Sequence, residues 1–189
     1  MLNASPKRSG CVSGALESFE SSLPSEIERE TLFLADYDFR PCMGCMKCRT
    51  SLSCAFAGDE ADSVGEKLKG ADVLVVASPT YWANMPGTLK NLFDRNVFRF
   101  MSETKAGFPV PLMRGKYGIV ITACSTPFPF NALAGQSAGL VRSVREIFGA
   151  SGIRFLGAVV CAGTKKRSAP TDAALARTRR LAQSLRRLK

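Results

Sequence analysis

Apolar positions along this chain fall into two alternating rhythms. Short continuous runs rich in β-branched residues, at 31–35, 71–77, 118–123 and 153–160, read as strands buried on both faces. Between them, apolar residues recur every three or four positions, the spacing of one helical face. That spacing predicts helices over 13–22, 59–69, 86–95, 136–148 and 171–188. The fourth carries Leu140, Val141, Val144, Ile147 and Phe148 on one stripe, and the last carries Leu175, Leu181, Leu185 and Leu188. Pro86 is placed in the first helical turn, where its missing N–H costs nothing. Strands alternating with helices predict one α/β domain over residues 1–189, a parallel sheet with crossover helices. The Pro-rich stretches 107–111 and 127–130 are long for α/β connections, and long loops in compact domains are often functional.

Composition narrows the function classes. A chain of 189 residues, 46% hydrophobic and 22% charged, has the size and balance of an ordinary globular domain with a full core. No apolar run approaches the roughly 20 residues of a membrane span, and residues 1–6 lack an apolar signal region. A cytoplasmic location with no membrane partner is therefore expected. The net charge is +10, yet nine cations and one acid lie between Lys165 and Lys189, which leaves only +2 elsewhere. The excess reads as one basic C-terminal helix with a solvated face, and no nucleic-acid partner is expected. Histidine is absent, which removes the commonest general base and metal ligand. Seven cysteines, four of them within 42–54, point instead to metal or redox chemistry.

Three loops follow strands at the end where open α/β sheets bind ligands. Residues 3–13 bring small hydroxyl residues, Lys7 and Arg8 to a helix N-terminus, which suits a phosphate. The loop lacks the glycine spacing of a P-loop or dinucleotide fingerprint, and taken alone it also reads as a polar turn. Residues 77–90 leave the strongest strand and carry the single tryptophan, Trp82, beside Tyr81. These aromatics either wall a planar cofactor or plug the sheet end. Residues 122–126 form a third, polar turn.

Together these loops resemble the NADPH-dependent FMN reductase family of the flavodoxin-like superfamily. The matching segments are 3–13, then Ser78-Pro79-Thr80-Tyr81 through Pro86-Gly87-Thr88-Leu89-Lys90, then Asp94-Arg95. The resemblance implies a flavodoxin-like three-layer sandwich with a central parallel five-stranded sheet of order 2-1-3-4-5. It implies that Ser5, Lys7, Ser9, Cys11, Val12 and Ser13 cradle the FMN phosphate. Pro79, Thr80, Tyr81, Trp82, Ala83 and Asn84 would line the flavin, and Ala123, Cys124, Ser125 and Thr126 would close its other edge. The implied activity is FMN-dependent transfer of electrons from NAD(P)H to a small acceptor such as a quinone or a flavin. The chemistry would reside on FMN, with no protein residue as general acid or base. A homodimer or homotetramer is expected. Two departures carry expectations of their own. Only Met1 and Leu2 precede the first loop, so the first strand is expected to be short: either the natural start lies upstream or other residues fill the gap. Ala4 stands where the family has glycine and would oppose a left-handed turn there.

Cys42, Cys45, Cys48 and Cys54 read C-x2-C-x2-C-x5-C. Three thiolates on a compact loop with a fourth nearby can each take one corner of a [4Fe–4S] cluster. Bare thiols and, less typically for this spacing, zinc also satisfy the pattern. The same spacing resembles the iron–sulfur flavoproteins, relatives of these reductases. That likeness implies the alternative function of an electron carrier between redox proteins. Lys47 and Arg49 are expected to favour thiolate. Cys124, Cys161 and Cys11 read as packing residues.

Overall fold

The computed structural model describes residues 1–188. In chain order the elements are β1 (Leu2–Asn3), α1 (Cys11–Ser21), β2 (Leu32–Phe33), α2 (Lys47–Ser51), α3 (Glu60–Gly70), β3 (Val73–Pro79), α4 (Gly87–Arg95) and α5 (Val97–Phe100). They continue with β4 (Met101–Glu103), β5 (Pro109–Pro111), β6 (Tyr117–Ala123), α6 (Phe130–Leu133), α7 (Ala138–Ser151), β7 (Arg154–Cys161) and α8 (Asp172–Ser184). Five strands form one sheet in the order β2-β1-β3-β6-β7, every neighbouring pair parallel. Counted along this sheet alone, that is the expected order 2-1-3-4-5.

The continuous apolar strands are explained by cover on both faces. Leu74 and Val76 of β3 and Val120 of β6 face a core built with Leu68 of α3, Leu89 and Phe93 of α4, and Leu140 and Phe148 of α7. Their neighbours Val75, Ala77, Ile119 and Ile121 face the opposite core, with Leu16 and Phe19 of α1 and Leu181 of α8. The period of two along each strand thus sorts side chains between two helical layers.

Local chemistry sets the helix ends. Asp59 caps α3 by accepting from the Asp62 N–H, and Thr171 caps α8 by accepting from the Ala174 N–H. Pro86 differs from its expected place: its extended backbone (ψ 149°) makes it the cap, and helical geometry begins at Gly87. The C-terminal helix ends at Ser184 and tightens into a 3₁₀ turn over Leu185–Arg187. Leu181 and Leu185 are buried, Leu175 and Leu188 half-buried, and Arg179, Arg180, Arg186 and Arg187 exposed. The stretch 107–111 supplies one strand of an antiparallel β4–β5 hairpin, and 127–130 leads into α6. Among the described residues no helix is long and apolar enough to cross a membrane.

The first strand is short, as expected. Leu2 and Asn3 pair with Leu32 and Phe33 on one side and with Val76 and Ala77 on the other. The strand expected over 31–35 shrinks to two residues for the same reason: β2 has only β1 to pair with, and Leu34–Asp36 closes into a 3₁₀ turn. A cavity of about 920 Å³ remains at the amino end of the sheet, lined by Leu2, Phe19, Leu32, Leu74 and Val75 among others.

Candidate cofactor site and cysteine cavity

The three candidate loops leave the carboxyl ends of β1, β3 and β6, adjacent strands at the centre of the sheet. The chain steps from β1 to β2 on one side and from β3 through β6 to β7 on the other. The β1/β3 boundary is therefore the topological switch point, where flavodoxin-like sheets bind FMN.

Buried Asn3 organises the first loop. Its Oδ1 accepts the Ser5 N–H at 2.9 Å, and its Nδ2 donates to Ser13 Oγ at 3.1 Å. Ser13 Oγ donates to the Lys7 carbonyl at 3.1 Å, and the Lys7 N–H donates to Ser5 Oγ at 3.2 Å. The hydroxyl of Ser13 is thus turned inward to hold the loop. Gly10, at φ 134°, leads into α1, whose first internal bond runs from the Gly14 N–H to the Gly10 carbonyl at 2.8 Å. The N–H groups of Cys11, Val12 and Ser13 lie before that point and have no partner within the helix. With exposed Lys7 and Ser9 they are the donors available to an anion. Cys11 and Val12 are themselves buried, and Cys11 Sγ donates to the Arg167 carbonyl. Burial pushes the Cys11 thiol up, with Arg167 opposing. Ala4 has no positive φ, so the left-handed turn it would have opposed is not formed; the Asn3 side chain makes the bend instead.

The second loop closes in a two-residue turn. Tyr81 and Asn84 exchange N–H to carbonyl bonds, each 2.9 Å long. Trp82 and Ala83 between them hold φ 50° and 61°, left-handed values that cost a residue with a Cβ about 1–3 kcal/mol and cluster at functional sites. The turn lifts Trp82 into solvent with relative exposure 101%, and Tyr81 beside it is also exposed. Asn84 Oδ1 accepts the Met85 N–H at 2.8 Å and the Ser143 hydroxyl at 3.2 Å, tying the turn to α7. Pro79 and Thr80 are half-buried at the strand end, and the Thr80 N–H donates to the Ala123 carbonyl at 2.8 Å. That bond joins the second loop to the third.

In the third loop Ala123 and Cys124 are buried, Thr126 is half-buried and Ser125 is exposed. The Cys124 N–H donates to the Cys161 carbonyl at 3.0 Å, and Thr126 Oγ1 donates to Gln136 Oε1 at 2.7 Å. Burial raises the Cys124 thiol against two backbone N–H donors, which fits the packing role expected of it.

The four clustered cysteines follow β2 and pack on α4. Cys42 and Cys45 are exposed, Cys48 and Cys54 half-buried, and all four line one cavity of about 160 Å³. Among the described residues, no three His, Cys, Asp or Glu side chains converge on one ion position. A cubane takes one thiolate at each of four separate corners, and a donor set ringing a small cavity fits that demand. The expected thiolate bias is corrected at Cys48. Burial pushes its thiol up; Arg49 offsets this only in part, and the neighbouring Cys42, Cys54 and Cys45 add to the rise. Arg49 is also paired with Glu103 at 2.5 Å.

Several residues that shape these sites were not legible as such. Asn3 is the keystone of the first loop, and an asparagine ahead of a polar turn is the only signal for it. Gly139 passes so close to the second loop that a Cβ there would sit 1.9 Å from the Ala83 carbonyl oxygen. Asn91 accepts the Cys42 N–H on its Oδ1 at 2.7 Å. Arg95, matched earlier only as part of an Asp-Arg pair, reaches Cys54. Nothing local in the sequence marks the last three as neighbours of the loops they touch.

Comparison with known proteins places this geometry. Residues 2–185 match the model of a family described as having a flavodoxin-like fold. The iron-sulfur flavoprotein of Methanosarcina thermophila is 40% identical over 70 residues, 37% of this chain and 36% of that protein. FMN-dependent NADH:quinone oxidoreductase 4 of Burkholderia lata is 32% identical over 131 residues, 66% of this chain and 61% of that protein. The match thus spans about a third to three-fifths of the length of these curated relatives. Among solved structures, the FMN-dependent NADH-azoreductase of Bacillus anthracis in complex with FMN superposes with a TM-score of 0.70 at 17% identity. That superposition covers 99% of this chain and 96% of the other. The NAD(P)H:quinone oxidoreductase of Methanothermobacter marburgensis gives 0.70 at 21% identity, over 98% and 94%. At such identities the structures share the fold.

Proposed function

The chain belongs to the flavodoxin-like family, and on that premise we propose that it is an FMN-dependent oxidoreductase passing electrons from NAD(P)H to a small acceptor such as a quinone or a flavin. The observation that carries this reading is the meeting of three loops at the β1/β3 switch point, one with free helix N–H donors and one with an exposed aromatic turn. Similarity to an FMN-dependent NADH:quinone oxidoreductase, an FMN-dependent NADH-azoreductase and an NAD(P)H:quinone oxidoreductase supports the same class. FMN, when bound, supplies the redox chemistry. The N–H groups opening α1, with Lys7 and Ser9, would hold its phosphate. The turn at 81–84 would present a flat wall to its ring, held against α7 by Asn84 and Ser143. Burial favours the protonated thiols of Cys11 and Cys124.

A second reading, an iron–sulfur flavoprotein carrying electrons between proteins, is favoured by the cavity lined by four cysteines. One experiment separates the two. The purified protein is extracted and its flavin chromatographed against standards; the proposal expects FMN. FAD, or no flavin after reconstitution with FMN, overturns it. Anaerobic NAD(P)H alone should then bleach the bound flavin on a turnover timescale. Bleaching by dithionite but not by NAD(P)H favours the carrier.

A further inference from the structure

Arg95, the last residue of α4, is buried, with its side chain only 1% exposed. A guanidinium so enclosed needs a partner for each of its N–H groups. Its Nε–H donates to Cys54 Sγ at 3.1 Å. One terminal nitrogen donates to the Arg40 carbonyl at 2.6 Å, and the other donates to the Phe56 carbonyl at 3.0 Å. The second nitrogen also lies 2.7 Å from Asp59 Oδ2, and the group stacks 5.1 Å over the Phe56 ring. Arg40 precedes Cys42, whereas Phe56 and Asp59 follow Cys54. The guanidinium therefore holds both ends of the cysteine loop and places its Nε–H on one sulfur. Asn91, one helical turn earlier on the same face of α4, holds the Cys42 N–H. An arginine that served packing alone could satisfy itself on Asp59 and the two carbonyls. Here the single Nε–H, which none of those groups takes, is satisfied by Cys54.

We propose that Arg95 is a positioning residue for Cys54: it fixes the sulfur at the rim of the cavity, and its charge and N–H···S bond raise the reduction potential of an iron–sulfur cluster held there. This rests on the reading of the four cysteines as cluster ligands. Reduction adds negative charge to a cluster and its thiolates. A cation hydrogen-bonded to one thiolate stabilises the reduced form more than the oxidised form. Lysine keeps the charge but cannot reach Arg40, Phe56 and Cys54 together, because it lacks the fork.

The test compares the full chain with Arg95→Lys and Arg95→Met, each reconstituted anaerobically with iron and sulfide. Iron and sulfide are counted, fold is checked by circular dichroism, and the cluster midpoint potential is read by a dithionite titration followed by electron paramagnetic resonance. With iron equal to that of the parent, Arg95→Met should move the one-electron equilibrium at least tenfold toward the oxidised form, about 59 mV more negative. Arg95→Lys should move it in the same direction by less. Where Arg95→Met fails to fold, the shift in Arg95→Lys decides. Variants with full iron and an unchanged potential overturn the role of Arg95 while leaving the cluster standing. Absence of iron from the parent protein overturns the cluster reading, and the positioning role with it.

Discussion

Replacing Gly139 with alanine tests whether the second loop is held by backbone contact with α7. Gly139 is the second residue of α7, where alanine is favoured over glycine by at most the helix-interior value of about 0.8–1.0 kcal/mol, so propensity alone predicts a gain. The structure reverses the sign. A Cβ at position 139 would lie 1.9 Å from the Ala83 oxygen and 3.1 Å from its carbon. That oxygen is backbone, inside a turn closed by two hydrogen bonds between Tyr81 and Asn84, so it cannot rotate away as a side chain could. Reaching 3.0 Å requires the turn and the helix to part by about 1.1 Å. Overpacking of this kind costs about 1–3 kcal/mol, which outweighs the propensity gain. Because the displaced turn carries Trp82 and Ala83, FMN affinity should fall at least tenfold, the equivalent of about 1.4 kcal/mol. Gly149→Ala is the control: it lies in the same helix with nothing within 4 Å of its Cβ and should stabilise by up to about 1 kcal/mol. Thermal unfolding and FMN titration of the two variants read both effects. A Gly139→Ala protein that gains stability like Gly149→Ala and binds FMN like the parent would refute the contact as the loop's anchor.

Trp82 is the chain's single tryptophan and stands clear of its own fold. FMN should therefore quench most of its emission, and tight binding with little quenching places the flavin elsewhere. Cys161 is pushed up to about 12, by burial first and then by Cys11, against Arg167. Its folded form stays neutral while the unfolded chain ionises above about pH 8.5, so stability present below that pH should fall by about 1.4 kcal/mol per unit as pH rises toward 12. Cys161→Ala should flatten that fall in alkaline denaturant titrations, and an equally steep decline in the variant removes Cys161 as its source. Asp62 is raised by burial but pulled below the ordinary carboxylate value overall by the Gly58 N–H and by buried Arg99. The stability it adds is present above about pH 4 and is lost as pH falls through the lowered value. Asp62→Asn should cost about 1.5–3 kcal/mol at pH 7 and much less at pH 2, by urea unfolding. An equal cost at both pH values would show that ionisation is not involved.

What the chain discloses locally and what it withholds follow from the range of each interaction. Residues 71–77, 118–123 and 153–160 announce strands because a polar side chain interrupts them only at Asp72, Thr122 and Arg154. The loop over 3–13 and the aromatic turn are contiguous segments, so their residues show in order. The β4–β5 hairpin was missed because its strands are three residues long and one contains two prolines. The inward turn of the Ser13 hydroxyl depends on Asn3, ten residues away. Gly139 and Arg95 act on loops 56 and 41 residues distant in sequence, where periodicity carries no information. The thiolate bias expected from Lys47 and Arg49 failed because burial, a property of the folded loop, outweighs adjacent charge at Cys48.

The two-residue β1 also gives the sheet an edge in its interior. Val76 and Ala77 are paired on both sides, whereas Val73, Leu74 and Val75 run past the end of β1 beside an open trench. Edges of this kind are ordinarily shielded by short strands, charges or covering loops. The trench here mixes leucine, valine and phenylalanine with Glu26, Glu28, Arg29, Glu30, Lys67 and Asp72. At this end of the sheet, opposite the candidate loops, Val73, Leu74 and Val75 keep strand partners on the β6 side alone. The charged side chains take the place of a covering loop.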